Sequence, residues 1–393
     1  FWYTYTNVGE GRSNLRVGIV HDWLNQRGGA EAVLEALVEM YPQAPVYTAM
    51  YWPQAMPQAY RSWDIRTSFM DKLPLVKRYH QPFLPLYPLA FESFDFTGYD
   101  LVISNKSGFC HGVITSPDTL HICYCLTTTR FLWDYPGYAQ REGLAKLARL
   151  ALPPFLNYLR LWDRAAAERV DHFVAISETV RQRIAKYYRR DSAIIHPPVD
   201  TTRFTPSDSH DDYFLIVSRL IPYKRIDLAV RAFNELGLPL VIIGDGRDRD
   251  SLRALARSNI QFLGYIPDED IGDYFARCRA FILPGHEDFC IAPVEAQAAG
   301  RPVIAYAAGG ALDTVIEGVT GAFFHEQTPE ALIKVIREFD ETNYDPAVMR
   351  RNAERFDKQV FKERLRAFIE EKVAEHKEHS CAGFVDPSSV HAT

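Results

Sequence analysis

The sequence predicts an α/β protein built from two doubly wound domains that face each other across a cleft. At 393 residues the chain is longer than one hydrophobic core usually supports. Short β-rich runs alternate with helical segments along its length, which is the pattern of parallel strands joined by crossover helices. One interruption, a proline pair followed by a polar stretch at 193–212, is interpreted as the connection between the domains.

The predicted strands form two series on either side of that connection. The first comprises 15–23, 44–51, 100–105, 120–125 and 171–177, with a helix over 29–41. The second comprises 213–220, 238–246, 260–266, 280–285, 302–307 and 321–324. We therefore expect domains at 1–197 and 198–345, then helices over 346–376 that cross back to the first domain, and a disordered or appended tail at 377–393.

The composition argues against several classes of function. A net charge of −6 argues against a nucleic-acid binder, which is normally strongly basic. No run of about 18 apolar residues is present that could span a membrane, and the N-terminal segment lacks the layout of a signal peptide. The six cysteines, at 110, 123, 125, 278, 290 and 381, show no zinc or disulfide spacing. A cytoplasmic protein is expected.

Four charged residues stand where such a fold places its ligands. The stretch EDFCIAPVE carries Glu287 and Glu295 between a strand-like run and a helix, and Arg219 and Lys224 follow an earlier strand. The two cations could simply be charged residues on a solvated surface. The helix dipole would be enough to explain an acidic residue at Glu295. All four, however, lie beyond the carboxyl ends of predicted strands, where doubly wound folds bind ligands. Two cations of different geometry could hold an anion there.

Other motifs concern anions and metals. Gly28 and Gly29 precede a predicted helix, where paired glycines can cradle an anion, although an ordinary turn is an equal alternative. Asp-x-Asp sequences at 248–250 and 268–270 have the spacing of metal-held diphosphate sites. Both stand where a helix should begin, so capping explains them and we reject a metal site. A dinucleotide fingerprint fails because Arg249 stands where it needs glycine. No metal cofactor is expected.

Together these motifs resemble glycosyltransferase family 4 over nearly the whole chain. The resemblance lies in SRLIPYK, GDG, EDFCIAPVEAQAAGRPVIAYAAGGALDTVIEGVTG and HDWLNQRGGAE. It implies the GT-B fold of two facing Rossmann-like domains, and retaining, metal-independent transfer of a hexose from a nucleotide diphosphate sugar to a sugar or lipid-linked glycan. LPLYPLAFESFDFTGYDLVISN and RFLWDYPGY are similar to a branch that includes O-antigen mannosyltransferases. That branch favours GDP-mannose and leaves UDP-glucose and UDP-galactose open.

The resemblance also implies roles for the motif residues. Glu287, Arg219 and Lys224 would be catalytic: Glu287 faces the hexose, and the two cations hold the diphosphate. Front-face attack assisted by the leaving phosphate needs no protein nucleophile. Glu295 would accept hydrogen bonds from the ribose. The other donor-binding positions are Gly28, Gly29, Gly244 and the amides of Phe289, Cys290, Ile291 and Ala292. The acceptor or donor-sugar side would include Asp22, Leu126 and Arg130.

One stretch departs from the family. Leu126, Thr127 and Thr128 stand where relatives carry His-Thr-Pro ahead of the arginine, here Arg130. Leucine can neither donate a hydrogen bond nor exchange a proton. A natural variant with altered acceptor use, an engineered substitution and a weakened enzyme all remain open. If the enzyme is weakened, the competing function is that of a nucleotide-sugar-binding protein with impaired transfer. A sugar-nucleotide epimerase is a third candidate function.

Two segments, 66–89 and 144–164, mix basic and bulky apolar residues. Helices packed on a core would explain them. The alternative is an interfacial patch that brings the protein to a lipid-linked acceptor at the inner face of a membrane.

Overall fold

The computed structural model describes residues 15–134, 146–207 and 209–382. Its first sheet has seven parallel strands in the order β3-β2-β1-β4-β5-β6-β7. The strands are β1 (Val17–His21), β2 (Val46–Thr48), β3 (Ile65–Thr67), β4 (Leu101–Lys106), β5 (Leu120–Cys125), β6 (His172–Ala175) and β7 (Ser192–Ile194). The sequence predicts five of these. It misses β3 and β7 because each has three residues and neither is fully buried, so neither shows a long apolar run.

Helices cover both faces of this sheet. They are α1 (Gly29–Met40), α2 (Tyr87–Glu92), α3 (Arg130–Trp133), α4 (Lys146–Glu168) and α5 (Glu178–Arg183). Helix α1 begins directly after an extended Gly28 and buries Val33, Leu34 and Leu37 against the sheet. Because these residues recur at helical spacing, burying that stripe fixes the direction in which α1 leaves β1.

The second sheet is also entirely parallel, in the order β10-β9-β8-β11-β12-β13. Its strands are β8 (Phe214–Val217), β9 (Leu240–Ile243), β10 (Ile260–Gly264), β11 (Phe281–Leu283), β12 (Val303–Tyr306) and β13 (Gly321–Phe324). Its helices are α6 (Ile226–Leu236), α7 (Arg249–Leu255), α8 (Ile271–Arg277), α9 (Ala292–Ala298), α10 (Ala311–Thr314) and α11 (Pro329–Glu338). All six strands occur within the predicted ranges. Strands buried on both faces, such as β9 and β11, read as short apolar runs.

The strand orders place the ligand region. Strand order reverses between β1 and β4 in the first sheet and between β8 and β11 in the second. Crevices at such switch points bind ligands in open α/β sheets. The turn after β1 and the loop after β11 meet directly, since a Cβ added to Gly29 would lie 3.3 Å from Ile291 Cδ1. The expected pair of doubly wound α/β sheets is therefore confirmed.

The chain ends in two helices, α12 (Pro346–Glu354) and α13 (Lys358–Ala382). Helix α13 packs against the first domain, where Phe361 meets Tyr124 edge to face at 5.6 Å and Lys358 and Lys362 pair with Glu39. The helix continues to Ala382, so residues 377–382 of the expected tail are helical and not disordered. The apolar positions of 361–369 anchor the helix. Residues 383–393, with the rest of the expected tail, lie outside the described residues.

Candidate active site

The centre of the cleft holds a buried ion pair between Lys224 and Glu287. Lys224 ends a short 3-10 turn after β8, Glu287 lies in the loop after β11, and Lys224 Nζ contacts Glu287 Oε2. Only 12% and 10% of the two side chains are exposed. Burial alone would lower the pKa of Lys224, but Glu287 raises it above its ordinary value. Lys224 is therefore a cation at neutral pH.

A pair of glycines, Gly309 and Gly310, fixes the loop that carries Glu287. The Gly310 amide donates to the Glu287 carbonyl at 2.9 Å. Gly309 has a φ of +66°, and a Cβ there would lie 2.0 Å from the Glu287 carbonyl oxygen. A Cβ on Gly310 would lie 2.2 Å from Phe289 Cα. Any side chain would displace the loop, so both positions require glycine. We did not single out this pair from the sequence, although its double glycine was the available signal.

Residues 289–291 expose their backbone amides. Cys290 has a φ of +65°, and the N–H groups of Phe289, Cys290 and Ile291 donate to no other residue that the structure describes. The Phe289 ring points away from the cleft and stacks on His196 with centroids 5.5 Å apart. Phe289 therefore supports the loop with its side chain, while the amides are available to a ligand. Burial raises the pKa of the Cys290 thiol, which is neutral.

Two charged groups near the buried ion pair, the Glu295 carboxylate and the Arg219 guanidinium, have no hydrogen-bond or ion-pair partner within the described residues. Glu295 lies partly buried in the first turn of α9, and Arg219 is exposed in the turn after β8. Burial raises the pKa of Glu295 to about 7, Arg203 opposes the shift and Asp268 adds to it. A desolvated polar group without a partner is costly. Glu295 is therefore placed to be paired by a ligand, and the exposed Arg219 is accessible to one.

Gly244 shapes the turn that carries Arg219. It has a φ of +127°, and a Cβ there would lie 2.0 Å from the Ser218 carbonyl oxygen. The ends of β8 and β9 can approach this closely only with glycine at this position. Gly244 thus acts through the backbone next to Arg219.

The first domain supplies the opposite wall of the cleft. Gly29 begins α1 and faces Ile291, which directly precedes α9. Beside them Arg27 crosses the cleft, and its Nη1 lies 2.6 Å from Asp268 Oδ2. Gly29 therefore lies beside the loop with the free amides.

Arg130 also reaches across the cleft. Its Nε donates to Asp288 Oδ2 at 2.9 Å, and its guanidinium lies over the Tyr223 ring, 5.3 Å from the centroid. The structure thus places Arg130 beside Glu287 and Lys224. We did not predict Asp288, its second partner Arg183 or Tyr223, although a charged residue next to Glu287 was a usable signal.

Asp22 and Leu126 occupy different environments from Arg130. Asp22 is 1% exposed and accepts hydrogen bonds of 2.6–2.8 Å from the amides of Ser107, Gly108, Phe109 and Cys110. Its oxygens therefore organise the turn after β4. Leu126 is partly buried, packs on the apolar core and donates its N–H to the Lys106 carbonyl at 2.8 Å. It offers only an apolar surface.

The two Asp-x-Asp motifs lie at helix starts, since α7 begins after Asp248 and α8 begins after Asp270. Among the described residues, no three His, Cys, Asp or Glu side chains form a group that could hold a metal ion.

Two family models together match most of the chain. "Glycosyltransferase Family 4" matches residues 27–203 and "Glycosyl transferases group 1" matches residues 200–356. The GDP-mannose-dependent alpha-mannosyltransferase of Mycobacterium tuberculosis is 30% identical over 229 residues, which is 54% of this chain and 58% of the relative. A D-inositol 3-phosphate glycosyltransferase of Streptomyces avermitilis is 26% identical over 260 residues, 56% of this chain and 55% of the relative. The matches thus span under two thirds of these relatives.

Solved structures share the fold. Anabaena HepE in complex with UDP has a TM-score of 0.67 at 16% identity, covering 91% of this chain and 100% of that one. Sucrose-phosphate synthase from Thermosynechococcus elongatus has a TM-score of 0.68 at 17% identity, with the same coverage. The two parallel Rossmann-like sheets therefore form a GT-B fold. Because the two family models together match residues 27–356, the chain belongs to glycosyltransferase family 4.

Proposed function

We propose that this protein is a retaining, metal-independent glycosyltransferase that moves a hexose from a nucleotide diphosphate sugar to a sugar or lipid-linked glycan. The observation that carries the proposal is the buried Lys224–Glu287 pair together with two groups of the same domain, Arg219 and Glu295, that have no hydrogen-bond or ion-pair partner within the described residues. An anion bound at this site could interact with two cations, Arg219 and Lys224, and with the free amides of residues 289–291. A hydroxyl group of the ligand could donate to the Glu295 carboxylate.

The chemistry follows from where charge develops. When the glycosidic bond to the diphosphate breaks, negative charge grows on the leaving phosphate. Lys224 and Arg219 stabilise that charge, and such preorganised groups act most strongly in a cleft with little water. The free amides of residues 289–291 donate to the phosphate or the sugar. These residues stabilise the leaving group through their own charges and dipoles.

The carboxylates near the sugar end are already engaged. Glu287 pairs with Lys224, Asp288 pairs with Arg130 and Arg183, and Asp22 is saturated by backbone amides. A carboxylate nucleophile needs a free oxygen aimed at the anomeric carbon. This arrangement favours front-face attack by the acceptor, assisted by the leaving phosphate, and therefore retention of configuration.

The donor we favour is GDP-mannose. The support is the family branch and the name of the Mycobacterium tuberculosis relative, a GDP-mannose-dependent alpha-mannosyltransferase. UDP-glucose and UDP-galactose are the alternatives.

Calorimetric titration with GDP, UDP and the matching monophosphates in EDTA tests the proposed phosphate site. We expect one diphosphate to bind at least tenfold more tightly than its monophosphate, because Arg219 and Lys224 hold the second phosphate. Equal binding of both contradicts the proposed phosphate site.

A second candidate function is nucleotide-sugar binding with impaired transfer. The observation that favours it is Leu126, whose apolar side chain lies where the family carries histidine. Donor binding without nucleotide release, in the presence of acceptor glycans, would support this function. The variant Leu126→His should then restore release, whereas unchanged kinetics and acceptor range would remove Leu126 from the argument.

Donor affinity should depend on pH through Glu295. Its pKa of about 7 in the free protein lies above the ordinary value of a glutamate. Because ribose hydroxyls donate to the ionised carboxylate, binding favours loss of the proton, and affinity should rise with pH. We expect the Kd for GDP-mannose to fall about tenfold from pH 6 to pH 8. This donor has no phosphate that titrates in that range. The same pH dependence in Glu295→Gln would contradict this role.

The first domain carries an exposed apolar and basic surface, which we propose as a docking site for a bilayer that holds the acceptor. Leu75 is 71% exposed and Leu161 is 66% exposed, on two segments that pack against the same core. Lys72 and Arg78 are exposed beside Leu75. Within the described residues, no helix combines the length and apolar character needed to cross a bilayer. Flotation with anionic vesicles should recover the protein, and its absence from the floated fraction contradicts this docking.

A further inference from the structure

An ion cluster joins the two domains beside Glu287. Asp288 accepts from Arg130 Nε at 2.9 Å, and its Oδ1 lies 2.5 Å from Arg130 Nη2. Asp288 Oδ1 also contacts Arg183 Nη1. Arg130 begins α3 and Arg183 ends α5, so both arginines belong to the first domain, whereas Asp288 belongs to the second.

The cluster is largely shielded from water. Only 12% of the Asp288 side chain is exposed. Burial alone would raise the pKa of Asp288, but Arg130 and Arg183 lower it below its ordinary value. Breaking a buried pair by removing one partner leaves an uncompensated charge. The contact therefore favours the arrangement in which the two domains touch.

The arginine side of the cluster is held rigidly. The Thr129 hydroxyl, just before Arg130, donates to Asp163 Oδ1 at 2.9 Å, and Trp133 Nε1 donates to Asp163 Oδ2 at 2.7 Å. Asp163 is fully buried in α4. Both ends of α3 are thus fixed to the core of the first domain, and Arg130 is presented from a firm base.

The carboxylate side is part of the loop that carries Glu287. Asp288 lies between Glu287, which pairs with Lys224, and Phe289, which stacks on His196 in the connection between the domains. When the domains separate, the loop loses Asp288's two partners. Glu295 and Arg219 lie elsewhere in the second domain, and within the described residues no hydrogen bond or ion pair joins their side chains to the first domain.

We propose that Asp288 is a positioning residue that couples domain closure to the placement of Glu287. This inference rests on the proposed transferase function. In the closed arrangement, Arg130 and Arg183 hold Asp288 and the hexose side of the site is complete. In an open arrangement Glu295, Arg219 and Lys224 still hold the nucleotide from the second domain, and only the contribution of Gly28 and Gly29 is lost. Closure therefore controls transfer more strongly than nucleotide binding.

The test compares Asp288→Asn, Arg183→Ala and the double variant. We expect Asp288→Asn to lower kcat about 10- to 100-fold, because a small misplacement near the chemistry has effects of that size. The Kd for the nucleoside diphosphate should change much less than kcat, because Glu295, Arg219 and Lys224 stay in place on the second domain. Arg183→Ala should lower kcat alone but add nothing to Asp288→Asn, since both act through one contact. Asp288→Glu should restore part of kcat.

Arg181→Ala is the matched control. Arg181 lies on the same helix as Arg183 but pairs with Glu178 inside its own domain, at 2.7 Å. The kcat of the Arg181→Ala variant should equal that of the unchanged protein. Additive losses in the double variant, or equal losses in kcat and nucleotide affinity, would overturn the proposal in favour of a merely structural role.

A readout independent of transfer separates this inference from the proposed function. Small-angle X-ray scattering with nucleoside diphosphate present should show a larger radius of gyration for Asp288→Asn than for the unchanged protein. If the unchanged protein transfers no sugar but the variant still opens, the proposed function fails and the closure contact stands. An unchanged radius of gyration in the variant overturns the closure contact.

Discussion

Lys224→Met is expected to lower kcat by about two to three orders of magnitude, the range seen when one preorganised stabilising group is removed. Two losses combine in this variant. The diphosphate loses its buried cation, and Glu287, only 10% exposed, loses its partner. Steady-state transfer with the favoured donor measures the effect.

Lys334→Met is the matched control, since Lys334 is exposed on α11, away from the cleft. Its kcat should equal that of the unchanged protein. A Lys224→Met variant that keeps kcat within about threefold would remove Lys224 from the stabilisation of the leaving group. The charge on the diphosphate would then need another source.

Asp163→Ala is expected to lower the free energy of unfolding by about 3–5 kcal/mol, because it leaves a buried positive charge without a carboxylate. Lys106 and Asp163 are both fully buried in the first domain. They are linked by Thr129, whose hydroxyl accepts from Lys106 Nζ at 3.0 Å and donates to Asp163. Burial alone would lower the pKa of Lys106, but Asp163 raises it, so the lysine stays charged.

Urea unfolding measures this loss. Asp118→Ala is the control, because Asp118 is exposed and has no partner among the described residues, and it should change stability by no more than about 0.5 kcal/mol. Asp163→Asn should lose less than Asp163→Ala, since the amide keeps part of the hydrogen bonding. Combining Lys106→Met with Asp163→Asn should recover stability, because neither charge is then left unpaired. Equal stability of the Asp163→Ala and Asp118→Ala variants would contradict the role of the buried pair.

Most of the fold could be predicted because its signals are local. Parallel strands buried on both faces, such as β5 and β12, appear as short apolar runs whatever surrounds them. The short edge strands β3 and β7 could not be predicted, since their residues depend on a neighbouring strand to become sheet. The continuation of α13 to Ala382 was missed because its last residues carry little apolar pattern.

The second-domain half of the site could be predicted in the same way. Glu287, Lys224, Arg219 and Glu295 stand just beyond strand ends, where the fold class alone indicates a ligand. The contacts across the cleft could not, because they join residues far apart in sequence. Arg130 and Asp288 are 158 positions apart, and Arg183 and Asp288 are 105 positions apart. Whether two such charges meet depends on how the domains dock.

Side-chain direction was the other missing information. Asp22 stands at the carboxyl end of β1, where a ligand contact is reasonable, yet its oxygens turn inward to the amides after β4. Phe289 lies in the donor loop, but its ring packs on His196. A sequence position fixes the loop a residue belongs to, whereas the surrounding backbone decides which way its side chain points.

The most direct test of the proposed transferase is donor turnover in EDTA. The purified protein is incubated with GDP-mannose, UDP-glucose or UDP-galactose, with and without glycan and lipid-linked acceptors, and nucleotide release and the anomeric configuration of the product are followed by NMR. We predict acceptor-dependent release from one donor, GDP-mannose first, with retention of configuration. Conversion of the donor sugar without an acceptor, or donor binding with no release under any condition, would contradict the proposed transfer.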